Sequence, residues 1–343
     1  MAFDQLPQTI KTVIQPDPKS PSLILTQAPL PSLPPGDEET HLIQVKATSP
    51  CLNELTWEVN FPHLFPPDRE RVPCTECAGV VVKSPTASSS FKPGDEVYFR
   101  LNAWERGCLS EYSLARADEM ALKPASLSWV EAAATPLSSL TAYQGLFEHG
   151  LLDRDGVGGI AAARDRNRKI RVLITGAGGS VGGWAVQLAV AAGAGAVVAL
   201  CGPSKADGVR RMGASEVIDY TTQSVEEWAT QDVSRECDMV LDCVGGETLR
   251  GCWSAVKNGG VLLSVSESPD EARPESTTKK LTKSAWFLVK PRGSDLARIT
   301  EILDHGLVKP WVDSVFAFDD FEAAFQRVQQ RNSKGKVVIK VAD

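Results

Sequence analysis

Through its middle, the chain alternates short apolar runs with stretches of helical period. Val172, Leu173 and Ile174 form an uncharged run ended by a glycine cluster, the pattern of a parallel strand buried on both faces. Val181, Ala185, Leu188, Ala189 and Ala192 then recur at three- and four-residue spacing, and the helix they predict breaks at Gly193 before the next apolar run, 197–200. The alternation continues with a helix over 207–212, a strand over 216–218, a helix over 225–228, a strand over 239–243, a helix over 247–256 and a strand over 261–265. Such βα repetition predicts a doubly wound parallel sheet.

Before this region the pattern is mostly β. Prolines recur through the first forty residues and favour extended segments and turns, and strands are expected over 41–48 and 78–83. A proline-rich surface loop separates those two strands, and the segment FKPGDEVYF reads as a turn entering a further strand. From about Ser128, helical periodicity predicts two helices broken near Pro136. The stretch 153–171, glycine-rich and then highly charged, reads as an exposed loop. The tail predicts a helix over 295–303, an extended segment, a helix over 321–329 and a last strand over 336–341, and no internal repeat is evident.

Gly176, Gly178, Gly179, Gly182 and Gly183 sit between the first strand of the middle region and its helix. Without Cβ atoms, the backbone there can turn tightly and approach a phosphate, while the helix N-terminus directs N–H groups and its positive dipole end at an anion. This is the dinucleotide fingerprint in its required βαβ setting. The uncharged run also has the length of a membrane span, but each of its clustered glycines costs a continuous helix about 1 kcal/mol.

Composition narrows the class. Over 343 residues the formal charge is −7, with no basic stripe, which argues against a nucleic-acid surface. The first eighteen residues lack an apolar signal core, so a cytoplasmic protein is expected, with its eight cysteines as reduced thiols. Where an NAD site would place a carboxylate on the ribose, past the second strand, stand Cys201, Gly202, Pro203, Ser204 and Lys205. A hydroxyl and an ammonium suit a 2′-phosphate, so NADPH is the expected cofactor. The alternative is that Ser204 caps the next helix, Lys205 is solvated and Tyr220 packs, and Asp207 keeps NADH open.

The blocks FKPGDEVYF, GCLSEY, EAAATPLSSLTAY, VLITGAGGSVG, MGASEVIDY, VLDCVGG and GKVVIKV occur in the order found in the medium-chain dehydrogenase/reductase superfamily. With ELTW and GLVKPWVDSVF, the chain most resembles the zinc-free quinone oxidoreductase and enoyl reductase branch, fungal members in particular. The resemblance implies an α/β fold: a GroES-like β-rich catalytic domain over 1–140 and 291–343, a Rossmann NADP-binding domain over 141–290, and an active site in the cleft between them. It places Gly176, Ala177, Gly179, Ser180, Val181 and Gly182 at the pyrophosphate and Tyr220 beside the 2′-phosphate. It assigns Asn53 and Thr141 to the nicotinamide end, Gly245, Ser264 and Val265 to the cofactor's edge, and Phe287 to the cleft. Homodimers are usual in the family.

Zinc-dependent alcohol dehydrogenases form the sister branch. Their catalytic ligands would fall at Asn53 and Thr75, neither of which replaces a thiolate or imidazole, and the region of their four-cysteine lobe holds only Cys108. Cys74 and Cys77 form a CxxC without a second pair, and are read as small residues at the base of a strand rather than as metal ligands. Without a Lewis acid, conjugated acceptors suit hydride transfer better than simple alcohols or aldehydes. The tyrosine that serves some enoyl reductases as proton donor is missing from TWEVNFPHLFPP, and Thr56 stands where the family has an aspartate, which leaves His63 as the candidate donor. Trp57, Phe61, Trp104, Trp286 and Phe287 either line an apolar cleft or pack in the core.

The leading expectation is an NADPH-dependent, zinc-independent reductase of an activated C=C bond or a quinone, acting on a small apolar substrate, with fungal secondary metabolism as the setting by analogy. The alternatives are a catalytically silent NADPH-binding sensor or synthase partner, and a zinc-dependent alcohol dehydrogenase.

Overall fold

The computed structural model describes residues 6–342, which form two compact units. One unit takes the chain through Leu137, then Lys290–Asp304 and everything from Pro310 onward; the other takes Ser138–Val289 and His305–Lys309.

In the first unit the proline-rich start forms an antiparallel pair, β1 (Thr9–Ile14) and β2 (Ile24–Pro29). There follow β3 (Thr40–Thr48), a single turn α1 (Trp57–Asn60), β4 (Glu76–Lys83), β5 (Glu96–Arg100), β6 (Tyr112–Arg116), β7 (Met120–Leu122) and α2 (Trp129–Ala133). The stretch expected as a plain loop before β4 thus holds α1 flanked by the 3-10 turns Glu54–Thr56 and Pro62–Leu64. Ser128 and Glu131 form a capping box that starts α2, and Pro136 opens a new helix, α3 (Pro136–Tyr143), which runs on as a π-helical turn over Gln144–His149.

The charged stretch 153–171 is a correction: it contains α4 (Ala161–Asn167). Three alanines start this helix, and buried Asn167 secures its end by donating to Asp153 O at 2.9 Å and Ala192 O at 2.8 Å. Such long-range ties do not show in local charge.

The second unit continues with β8 (Arg171–Ile174), α5 (Ser180–Ala191), β9 (Ala196–Cys201), α6 (Pro203–Arg211), β10 (Glu216–Asp219), α7 (Val225–Thr230), β11 (Cys237–Asp242), α8 (Gly246–Ala255), β12 (Val256–Ser264) and β13 (Lys283–Trp286). Its six strands are parallel in the order β10-β9-β8-β11-β12-β13. Leu173, Val198, Val240 and Leu262, all fully buried, share one core layer with Trp228 and Trp253 from the helices. That is the expected doubly wound sheet with its first strand at the centre.

The chain then returns to the first unit through α9 (Gly293–Asp304), β14 (Val312–Ala317), α10 (Phe321–Gln329) and β15 (Lys336–Lys340). There the strand path β14-β15-β3-β4-β5-β7, with β6 on β3, makes a seven-stranded sheet, antiparallel except between β14 and β15. The expectation of a β-rich unit and a Rossmann unit is borne out. Among the described residues no helix is long and apolar enough to cross a membrane.

Candidate functional site

In the second unit the glycine turn is closed by the Ala177 N–H donating to Leu200 O at 3.0 Å and the Gly179 N–H donating to Gly176 O at 2.8 Å. Gly176 has φ +59°, and a Cβ at Gly182 would stand 2.3 Å from the Gly176 carbonyl oxygen, so α5 can start this close to the strand only without side chains there. Gly179 is the N-cap of α5, no side chain caps the helix, and its first turn carries no acid. The N–H groups of Ser180, Val181 and Gly182 lack carbonyls one turn back, an arrangement that with the helix dipole suits an anion at the mouth of the turn.

Beyond β9, Gly202 is the N-cap of α6, with Pro203 first in the helix. Ser204 therefore lies inside α6 and is not its cap. Lys205 folds back over the glycine turn: a Cβ on Gly178 would stand 2.4 Å from Lys205 Cδ and 2.8 Å from its Cβ. Tyr220, 61% exposed, lies against the same strand end, its hydroxyl 3.0 Å from where a Cβ on Gly202 would be. The nearby carboxylates are engaged elsewhere. Asp207 pairs with Arg210 at 2.9 Å, and Asp219 Oδ1 accepts from the Thr221 hydroxyl at 2.7 Å. Lys205 and Tyr220 thus lie at the end of β9, with Ser204 in the first turn of α6 and Asp219, the register partner of Cys201, held by Thr221.

On the other side of β8, buried Asp242 joins three strand ends. It accepts from Thr175 Oγ1 at 2.6 Å, Ser264 Oγ at 2.9 Å and the Gly245 N–H at 2.9 Å. Burial holds its carboxyl above the usual aspartate range despite these donors. Ser264, expected at the cofactor's edge, is fully buried and its hydroxyl is committed to Asp242. The Val265 N–H donates to Asp242 O at 3.1 Å, and Gly245, at φ +83°, leads into α8. Phe287 is a buried packing residue, its ring centroid 4.6 Å from that of His149 and its tip 3.1 Å from where a Cβ on Gly145 would be. Thr141 is buried on α3.

In the first unit Asn53 has left-handed backbone, φ +59°, and so does Cys74, φ +66°. One side chain, Glu54, clamps both neighbourhoods: it accepts the Cys51 N–H at 2.9 Å on Oε2 and the Cys74 N–H at 2.5 Å on Oε1. Burial pushes the Glu54 carboxyl up to about 7. The clamp brings the segment bearing Asn53 next to the one bearing Thr75, whose hydroxyl is buried without a hydrogen bond. Glu76 follows, in a buried ion pair with Lys336 at 2.5 Å, and its Oε2 accepts the Leu137 N–H at 2.8 Å. His63 is exposed on its 3-10 turn. Trp57 lines a small recess with Glu54, Phe65, Arg69 and Arg71. Trp57, Phe61, Trp104 and Trp286 are each half-buried.

An amide and a hydroxyl at Asn53 and Thr75 do not make a tetrahedral zinc site. Among the described residues no three His, Cys, Asp or Glu side chains are grouped to hold a metal. Cys74 and Cys77 are fully buried core residues whose thiols burial pushes well above their ordinary range. The glycine turn, by contrast, fits a dinucleotide. Sequence reasoning found that turn and the Lys205 end of β9 by spacing; it missed Glu54 and Asp242, whose partners are distant or belong to the backbone.

A β-rich unit interrupted in sequence by a Rossmann unit with a glycine turn after its central strand is the architecture of dinucleotide-dependent oxidoreductases. The comparisons agree: residues 37–125 match the alcohol dehydrogenase GroES-like domain family and residues 212–339 the zinc-binding dehydrogenase family. The chain is 39% identical to the "Probable zinc-binding oxidoreductase, mitochondrial" of Arthroderma benhamiae, over 98% of each chain. It is 33% identical to the "Quinone-oxidoreductase QR1, chloroplastic" of Triphysaria versicolor, covering 91% of this chain and 92% of that one. The "NAD(P)H oxidoreductase RTN4IP1, mitochondrial" of Danio rerio is 32% identical, over 74% of this chain and 67% of that one. The chain belongs to the medium-chain dehydrogenase/reductase superfamily, in its zinc-free quinone-oxidoreductase-like branch, and is an oxidoreductase. These relatives carry organellar names, whereas the sequence led to the expectation of a cytoplasmic protein.

Proposed function

We propose that this chain is an NADPH-dependent reductase that works without a metal and delivers hydride to a quinone or an activated C=C bond. The observation that carries the cofactor reading is the Lys205 side chain lying on Gly178 past the end of β9, where the nearest carboxylates, Asp207 and Asp219, are engaged by Arg210 and Thr221. An ammonium, a serine hydroxyl and a phenol offer a 2′-phosphate charge-assisted hydrogen bonds, each worth about 1.5–3 kcal/mol. The uncapped start of α5 would hold the pyrophosphate. Bound there, the nicotinamide supplies the hydride.

The acceptor must then tolerate negative charge without a Lewis acid, which favours conjugated carbonyls and quinones over simple alcohols. The names of the quinone oxidoreductase relatives support the same class. We assign Asn53 the task of orienting the acceptor, because its backbone is left-handed and the neighbouring Glu54 ties its segment to Cys74 beside Thr75. His63, exposed on its turn, is left to solvent, and a quinone's reduced oxygens can take their protons from water.

The test is a titration of Lys205→Ala with NADPH and NADH, alongside turnover on a panel of quinones, enals and enones. NADPH affinity falls about 10- to 100-fold in the variant while NADH affinity changes little. Equal loss for both cofactors would remove the phosphate reading, and a wild-type protein oxidising NADPH with none of the panel would remove the proposed substrate class.

A further inference from the structure

We propose that Glu267 is a cofactor-binding residue, its carboxylate accepting hydrogen bonds from the ribose hydroxyls on the nicotinamide side of the bound dinucleotide. The proposal rests on the dinucleotide reading above and extends it to the half of the site where the glycine motif says nothing.

The sheet consists of two three-strand halves, β8-β9-β10 and β11-β12-β13, which meet where β8 lies beside β11. A dinucleotide crosses the carboxyl ends of the strands at this switch point, one mononucleotide over each half. In the first half, the loop after the second strand is where a ribose-reading carboxylate belongs, and the second half repeats the same strand order outward from the switch point. In the first half that strand is β9, and it is followed by Gly202, Pro203 and Ser204, which have no acid. In the second half it is β12, and it is followed by Val265, Ser266 and Glu267. The carboxylate missing from one half is present at the equivalent place in the other.

Its position there is built. The Ser264 hydroxyl, fixed by Asp242, accepts the Ser266 N–H at 3.1 Å and the Glu267 N–H at 3.4 Å, turning the chain back over the strand end. Glu267 Oε1 accepts the N–H of Gly246, which opens α8, so the side chain spans the loops after β11 and β12. A Cβ on Gly245 would stand 2.6 Å from Ser266 Oγ and 3.2 Å from Glu267 Oε1, a closeness only glycine permits.

Capping α8 accounts for Oε1. Oε2 carries no hydrogen bond among the described residues, and the residue is exposed. A vicinal diol offers two O–H donors and no charge, which suits a carboxylate; a phosphate would be repelled. The phosphate end already has its own site at α5.

The test uses the full chain and two ligands, NADPH and 2′,5′-ADP, which carries the adenosine half alone. Glu267→Gln is expected to weaken NADPH about ten-fold, leave 2′,5′-ADP within two-fold and leave the melting temperature of the ligand-free protein unchanged. Unchanged NADPH affinity overturns the proposal, as does parallel weakening of both ligands with a lowered melting temperature, the signature of a cap alone. If the wild-type protein binds neither ligand, the dinucleotide reading falls and takes this proposal with it, an outcome distinct from either.

Discussion

Two glycines a turn apart are under different constraints. A Cβ on Gly182 meets backbone, the Gly176 carbonyl oxygen at 2.3 Å, which cannot yield without parting the helix from the turn. A Cβ on Gly178 meets the Lys205 side chain, whose Cδ at 2.4 Å can swing aside but whose Cβ at 2.8 Å moves only with the backbone of α6. Gly182→Ala should therefore cost about 1–3 kcal/mol of stability, seen in urea denaturation. Gly178→Ala should cost stability as well, because Lys205 must be pushed off the turn, and should lose most of its NADPH preference over NADH; a variant that keeps the preference would show that the position of Lys205 is immaterial. These residues were legible because glycine spacing and the identity of the residues some twenty positions on are local facts. Glu54 was not legible, because its role lies in accepting backbone N–H groups from Cys51 and Cys74, a pairing made only by the fold.

At the scale of elements, the mouth of the Rossmann sheet depends on Asp242, which ties the ends of β8, β11 and β12 through Thr175, Gly245 and Ser264. Asp242→Asn keeps the volume but presents N–H groups to donors, so a loss of about 2–4 kcal/mol is expected by chemical denaturation. The Glu54 clamp gives a pH dependence. Its folded pKa of about 7 lies above the ordinary glutamate value of 4.5. Between those two values the folded state holds the proton and the unfolded state has released it, so this group's contribution to stability is present at low pH and is lost as pH rises toward 7. Glu54→Gln should flatten that part of the stability profile, whereas an unchanged slope would show that the carboxyl titrates normally. Among the elements, the buried parallel strands were legible as apolar runs. β13 was not, because its four residues are all half-buried at a sheet edge and show neither alternation nor a full apolar run. The start of α6 was placed too late, because Pro203 reads as a breaker although it occupies the helix position where proline fits.

At the scale of the whole molecule, the chain builds most of a β-rich unit, leaves it for a six-stranded parallel sheet, and returns to complete it with α9, β14, α10 and β15. This organisation was legible in the order of the sequence blocks, whereas nothing in the pattern of residues names the acceptor. On the proposed function, the end of β9 selects a phosphorylated cofactor. The most direct measurement is a titration of the purified wild-type chain with NADPH and NADH in the same buffer. Lys205, Ser204 and Tyr220 predict that NADPH binds at least about ten-fold more tightly, with 2′,5′-ADP competing. Equal affinities, or tighter binding of NADH, would contradict the account.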